Sequence, residues 1–382
     1  MGKQKTDLSS SFYTRLYLLL GAAIVILLIY NNVQVGQLGS AISQKLVEAE
    51  EAARPAELKL VTIVDKGCND CFDITSVVES IKKANVKITG EENLDLSSVE
   101  ARELIGKYKI ARIPTVLLSG ELDRAEISSL ERRDDVLLFT QATLPFTDAL
   151  TGNVLGRVSV MTVKDPSCEK CTDTAPILDL FRQSGIKIVS EKVVERSSDE
   201  GKWMIKNYSL KVLPTLVFSS DLELYSSDLV RNWEMYGSIE ADGSYIIRDI
   251  TPPYLNLTEN KVRGLVSMTH ILDESCAACY STSEFQKPIL ERMGVVFGEE
   301  EKVNVSAAEG KSLVEKYKIT KVPTIILKGD MGEYSILVSV WKDVGTVESD
   351  GTYVFRQVEV ANKPYKDLTT GEIIAPVSQP TA

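Results

Sequence analysis

Two kinds of hydrophobic pattern run along the chain. The first is one unbroken apolar run from Leu16 to Tyr30, with no further charge until Lys45. At ~1.5 Å per residue it makes a helix a little shorter than a hydrocarbon core of ~30 Å, and the uncharged stretch beyond lets it extend. Arg15 can snorkel at one end, and Tyr13, Tyr17 and Tyr30 suit an interface. A cleaved signal peptide and a buried core helix are the alternatives. The small-residue site Gly39-Ser40-Ala41 lies too far behind the run for ordinary cleavage, and a core helix would not carry polar flanks. The pattern therefore predicts an uncleaved membrane anchor. Residues 36–57 follow as a polar helical stalk rich in Ala, Glu and Gln, stopped by Pro55.

The second pattern repeats three times. The runs LVTIVDKGC, VMTVKDPSC and MTHILDESC each read as a buried strand with an Asp (Asp65, Asp165, Asp273) three residues before a cysteine. A Cys-x-x-Cys pair then opens a helical pattern with apolar residues on one face, as in CFDITSVVESIKK. Further on, KYKIARIPT, NYSLKVLPT and KYKITKVPT place Tyr108, Tyr208 and Tyr317 six residues before Pro114, Pro214 and Pro323. The second cysteine and this proline are 43, 43 and 44 positions apart, and a strand follows each time. Asp242-Gly243 and Asp350-Gly351 signal closing hairpins after Trp233 and Trp341. The first copy lacks both features, which predicts a shorter or altered hairpin. PFTDALTG, PYLNLTEN and PYKDLTTG read as ordered connectors.

Strands alternating with helices argue α/β units, each a sheet with helices packed on it. The expected divisions are a cytoplasmic tail and anchor over 1–35, the stalk over 36–57, units over 58–152, 153–260 and 261–372, and a tail over 373–382.

Composition narrows the function. A net charge of −11 argues against a nucleic-acid footprint. A single histidine, His270, removes most His-based metal sites and Ser/His/Asp triads. All six cysteines fall in the three pairs Cys68/Cys71, Cys168/Cys171 and Cys276/Cys279. Gaps of about a hundred residues between pairs are far beyond zinc-ribbon spacing, so neither a metal nor a cofactor is expected. Lys3, Lys5 and Arg15 precede the apolar run, and Glu48, Glu50 and Glu51 follow it. This places the N-terminus in the cytoplasm and the three units outside a cell membrane, where disulfides persist.

A strand, a Cys-x-x-Cys and an apolar-Pro-Thr before a later strand resemble the thioredoxin superfamily. Three tandem copies resemble the arrangement of protein disulfide isomerases. The resemblance covers about residues 58–362. It implies that Pro114, Pro214 and Pro323 are cis and, with Thr115, Thr215 and Thr324, shape a substrate groove beside the cysteines. The departures are Gly67, Ser167 and Ser275 where the family has Trp, and Asn-Asp, Glu-Lys and Ala-Ala between the cysteines. Thr62, Thr162 and His270 stand where a buried acid is common.

The first cysteine of each pair is expected to cap a helix N-terminus, which favours its thiolate and makes Cys68, Cys168 and Cys276 the nucleophiles. Cys71, Cys171 and Cys279 would resolve the mixed disulfide. Asp65, Asp165 and Asp273 either cap the coming helix or close the turn, or pass the resolving cysteine's proton. His270 either takes or holds the proton of Cys279, or pairs with the thiolate, or is a buried structural residue. Asp70 beside Cys68 predicts unequal thiols, with Cys68 the hardest of the three nucleophiles to ionise unless Lys66 offsets Asp70. Two functions fit: a membrane-anchored oxidoreductase or isomerase that exchanges thiols and disulfides with secreted protein clients, or an extracytoplasmic binding scaffold with structural disulfides. Retention of both cysteines and the Pro-Thr in all three units favours exchange. Neither the clients nor a redox partner can be identified from the residues.

Overall fold

The computed structural model describes residues 8–375. Lys3, Lys5 and the tail from Pro376 lie outside them. The chain forms two compact units that divide between Asn153 and Val154.

The first unit begins with one continuous helix, Leu8–Ala53, of 46 residues. At ~1.5 Å per residue it is ~70 Å long. The apolar run and the polar stretch behind it are therefore a single element, which stops just before Pro55. Every side chain from Arg15 to Ser40 is exposed. That excludes the core-helix reading: the helix is long and apolar enough to cross a membrane or to serve as a signal sequence. Its C-terminal end is held by arginines, which suit the negative end of a helix. Arg124 Nη1 donates to the Glu51 carbonyl at 2.6 Å, and Arg54 forks onto Glu121 at 2.7 and 2.8 Å.

A thioredoxin-like domain follows. Its sheet runs Val86–Asp95, Ala56–Val64, Thr115–Gly120, Val136–Leu138, Glu131–Arg133. The first two strands are parallel and the other pairings antiparallel. Parallel neighbours need a crossover, and the helix Thr75–Lys83 supplies it. The second helix, Val99–Tyr108, buries Ala101, Ile105 and Tyr108 on one face. Its N-cap is Ser98, whose side chain accepts from Ala101 N.

The second unit holds two more copies. Their sheets run Ile188–Glu195, Val158–Lys164, Thr215–Phe218, Tyr245–Ile247, Gly237–Ile239, and Val296–Asn304, Leu265–Leu272, Thr324–Gly329, Tyr353–Phe355, Gly345–Val347. The strand order and the sense of every pairing repeat the first domain. The chain is thus three tandem thioredoxin-like domains after an N-terminal apolar helix.

The closing hairpins differ as the sequence predicts. The first turns tightly at Asp134-Asp135, with Asp134 at φ 49°. The others have longer turns with Gly243 and Gly351 at φ 80°. Each hairpin supplies a carboxylate to the motif tyrosine: Tyr108 Oη donates to Asp135 at 2.8 Å, Tyr208 to Asp242 at 2.8 Å, and Tyr317 to Asp350 at 3.1 Å. The tyrosines are buried, so this bond satisfies a hydroxyl that would otherwise be costly to bury.

The repeated connectors form small sheets of their own. Tyr254–Asn256 lies between Val212–Leu213 and Lys261–Arg263, and Tyr365–Asp367 between Lys321–Val322 and Ile373–Ile374. Lys261–Arg263 therefore completes the small sheet of the domain before it. Ile373–Ile374, expected in a free tail, closes the third domain.

Candidate functional site

The residue before each Pro-Thr lies in a two-residue strand held by its connector: Ile113 pairs with Thr147, Leu213 with Leu255, and Val322 with Lys366. This fixes the proline loop. Pro114, Pro214 and Pro323 are all cis, and so are Pro145 and Pro253 in the connectors. The connector also reaches the cysteine loop. The amide after each second cysteine donates to a connector proline carbonyl: Phe72 to Pro145 at 2.8 Å, Thr172 to Pro253 at 2.8 Å, and Tyr280 to Pro364 at 3.1 Å.

Each cysteine pair is closed as a disulfide within its own domain. Cys168, Cys171 and Pro214 line one cleft of about 470 Å³. Cys276, Cys279 and Pro323 line another of about 220 Å³. The threonines after the prolines do not line either cleft. Their side chains are buried, and their hydroxyls donate to the carbonyls of Phe139, Val212 and Phe355 at 2.6, 2.7 and 2.6 Å. Thr115, Thr215 and Thr324 thus fasten the proline loop rather than face a groove. Cys68 and Cys276 are buried, whereas Cys168 is half-buried.

The expected helix caps are not formed by the cysteines. The helices begin at Thr75, Ala175 and Gln286, several residues beyond each second cysteine. The intervening residues are bends, turns and irregular backbone, so Cys68, Cys168 and Cys276 do not sit on a helix N-terminus. The sequence carries the reason in part. Asp73 and Asp173 accept from the amides of Thr75 and Ala175 two residues on, at 2.9 and 3.0 Å, and these local turns compete with a helix start at the cysteines. In the third domain the segment Ser281-Thr282-Ser283 postpones the helix further.

The aspartates three residues before the first cysteine close that turn rather than cap a helix. Asp65 accepts from Gly67 N at 2.8 Å, Asp165 from Ser167 N at 2.8 Å and Asp273 from Ser275 N at 2.9 Å. Their second oxygens meet three different partners. Thr147 Oγ1 donates to Asp65 Oδ2 at 2.7 Å and lies 3.7 Å from Cys71 Sγ. Arg196 Nη1 donates to Asp165 Oδ2 at 2.9 Å. Lys366 Nζ donates to Asp273 Oδ2 at 2.6 Å. The lysine, then the Ser275 hydroxyl, holds the Asp273 carboxyl below its ordinary range; for Asp165 the Ser167 hydroxyl leads and Arg196 adds to it. Thr147, Leu255 and Lys366 occupy the same place in the three connectors, third in PFT, PYL and PYK. Aligning the connectors exposes this variable position, but only the fold puts it against the cysteines.

His270 is fully buried. Its Nδ1 lies 2.6 Å from Thr282 Oγ1 and its Nε2 3.1 Å from Glu300 Oε1, so neither ring nitrogen bonds a sulfur. Burial lowers its pKa, against the opposing pull of Glu300. The ring pins the segment after Cys279 to the neighbouring strand. Tyr280, next to Cys279, donates to the Pro323 carbonyl at 3.1 Å and accepts from Gln286 Nε2 at 2.6 Å. Burial pushes its phenol up to about 12. Asp70 Oδ1 stands 3.6 Å from Cys68 Sγ, the juxtaposition behind the expectation of a slow Cys68. Among the described residues, no three His, Cys, Asp or Glu side chains cluster so as to hold a metal.

No protein-family model matches the chain, and no curated protein does. Among solved structures it is similar to a protein disulfide oxidoreductase from Aeropyrum pernix K1, at 20% identity over 46% of this chain and 78% of that one, with a TM-score of 0.14. It is also similar to human ERp44, at 10% identity over 82% and 94%, TM-score 0.15. A third is ERdj5, at 12% over 73% of this chain and 37% of that one, TM-score 0.14. The thioredoxin-like fold shows in the strand order, the crossover helix and the cis prolines beside Cys-x-x-Cys.

Proposed function

We propose that this chain is a membrane-anchored thiol–disulfide oxidoreductase whose three domains lie outside the membrane and exchange disulfides with secreted protein clients. The observation that carries the reading is the shared cleft of cysteine pair and cis proline, seen at Cys168, Cys171 and Pro214 and again at Cys276, Cys279 and Pro323. A disulfide kept only for stability needs no such opening, and a Cys-x-x-Cys loop restricts an unfolded chain little. Exchange instead needs one sulfur accessible to an incoming disulfide and a second close enough to resolve it. Cys168, the half-buried first cysteine in the larger cleft, is the leading nucleophile.

The anchor rests on the exposed apolar stretch within residues 15–40 of the helix Leu8–Ala53. Without a membrane or a partner, that surface would stay in water at large cost. The acidic residues after the apolar run and Arg15 before it set the orientation.

Replacing Cys71, Cys171 or Cys279 by Ala leaves a first cysteine that cannot be released from its mixed disulfide. Such variants should accumulate client adducts on non-reducing gels, most strongly for Cys171→Ala, whereas Cys168→Ala should not. Absence of adducts from all three would refute exchange with protein clients. A membrane-impermeant thiol reagent should label the reduced cysteines in intact cells; labelling only after lysis would reverse the orientation.

A further inference from the structure

We propose that Thr147 is a proton relay that carries the thiol proton of Cys71 to Asp65, so that resolution is proton-coupled in the first domain by a route the other two lack. The inference rests on the exchange reading and adds a residue to it. Thr147 is completely buried, and its one hydroxyl hydrogen is committed to Asp65 Oδ2 at 2.7 Å. A carboxylate can only accept, so the direction of that bond is fixed. The oxygen lone pairs of Thr147 are then what faces Cys71 Sγ at 3.7 Å. Toward this sulfur the hydroxyl is an acceptor, the role needed to take a proton from a thiol. Asp65 is itself held still by the Gly67 amide on its other oxygen.

The reaction balances through these groups. Client disulfide and Cys68 first form a mixed disulfide, and one client thiolate leaves. Cys71 S–H then passes its proton to Thr147 Oγ1 while Thr147 passes its own to Asp65 Oδ2. The Cys71 thiolate attacks Cys68 Sγ, the Cys68–client bond breaks, and the second client sulfur leaves with the electron pair. The client disulfide has been reduced and the Cys68–Cys71 dithiol oxidised by two electrons. Asp65 returns its proton to the departing thiolate or to water. Client oxidation is the same path in reverse.

The other domains cannot run this path. Leu255 has no hydroxyl. Lys366 meets Asp273 as an ammonium, which has three donors and no lone pair to accept a thiol proton.

The test uses the full chain with Cys168, Cys171, Cys276 and Cys279 replaced by Ser, so that only the first site reacts. The reduced protein is mixed with oxidised glutathione in a stopped-flow instrument. A concentration-dependent phase reports attack by Cys68, and a later concentration-independent phase reports resolution by Cys71. Thr147→Val should slow the second phase at least about tenfold, a part of the roughly 10²–10⁴-fold that a general base supplies, and leave the first unchanged. Thr147→Ser should restore it to within about twofold. Asp65→Asn should slow it as much as Thr147→Val, and the double variant should be no slower than either. A Val variant as fast as the parent, a Ser variant as slow as Val, or equal slowing of both phases would overturn the relay. Should Thr147→Val not fold, Asp65→Asn decides by the same two phases. Absence of the first phase in the parent would overturn the exchange reading and the relay together.

Discussion

The first and third domains share a strand order, a cis proline and an Asp three residues before the first cysteine, yet they hold that Asp by opposite chemistry. In the first, a buried neutral hydroxyl links Asp65 to Cys71. In the third, the Lys366 ammonium neutralises Asp273, and an ammonium has no lone pair with which to accept a proton from Cys279. One side chain in the connector, Thr147 or Lys366, makes the difference. The repeat keeps the frame, while the connector, remote in sequence from the cysteines, sets the surroundings of the resolving sulfur.

The largest expected effect comes from exchanging that side chain. Lys366→Thr should give the third site a relay of its own and speed resolution by Cys279 on the order of tenfold. The measurement is the same two-phase reaction in a chain with only Cys276 and Cys279. No change would mean that the connector residue does not control resolution.

Next is stability. Lys366→Met strips a short charged hydrogen bond from Asp273, whose side chain is only 9% exposed. The expected cost near pH 7 is about 2 kcal/mol in urea unfolding. The Asp273 carboxyl is held low in the folded chain, so its contribution is present above the unfolded carboxylate value of about 3.9 and is lost as pH falls through the folded one. The deficit of the variant should therefore shrink toward pH 3. A deficit that persists undiminished in acid would assign it to lost packing of the lysine stem.

The smallest effect separates the nucleophiles. Asp70 stands 3.6 Å from Cys68 Sγ, while Ala277 and Ala278 place no charge beside Cys276. Both cysteines are buried to a similar degree, 8% and 6% exposed, so access should differ little. Alkylation of Cys68 near neutral pH should be a few-fold slower than that of Cys276, and Asp70→Asn should narrow the gap. Equal rates before and after the change would remove Asp70 from the account.

Much of the frame was legible in the sequence because it depends on local pattern. The buried strands before the cysteines, the strands after each Pro-Thr and the altered hairpin of the first copy all appear where the residues place them. The cysteine loop was less legible. A helix start at the cysteines follows from the helical spacing of apolar residues in CFDITSVVESIKK, but local turns at Asp73 and Asp173 and the Ser281-Thr282-Ser283 segment postpone it. The Pro-Thr threonines read as groove residues because they neighbour a proline; the backbone instead turns their hydroxyls onto nearby carbonyls. The partners of the aspartates were illegible: Thr147 is 82 positions from Asp65 and Lys366 is 93 from Asp273, distances that no local rule spans.

The central claim is that the cysteine pairs exchange disulfides rather than merely clip the chain, and their reduction potentials test it most directly. Each pair should be measured in a full-length chain with the other four cysteines replaced by Ser, equilibrated in glutathione buffers. At least the Cys168–Cys171 site should be poised above about −300 mV, within reach of thiol partners. Potentials well below that value at all three sites would mark the disulfides as structural and contradict the account.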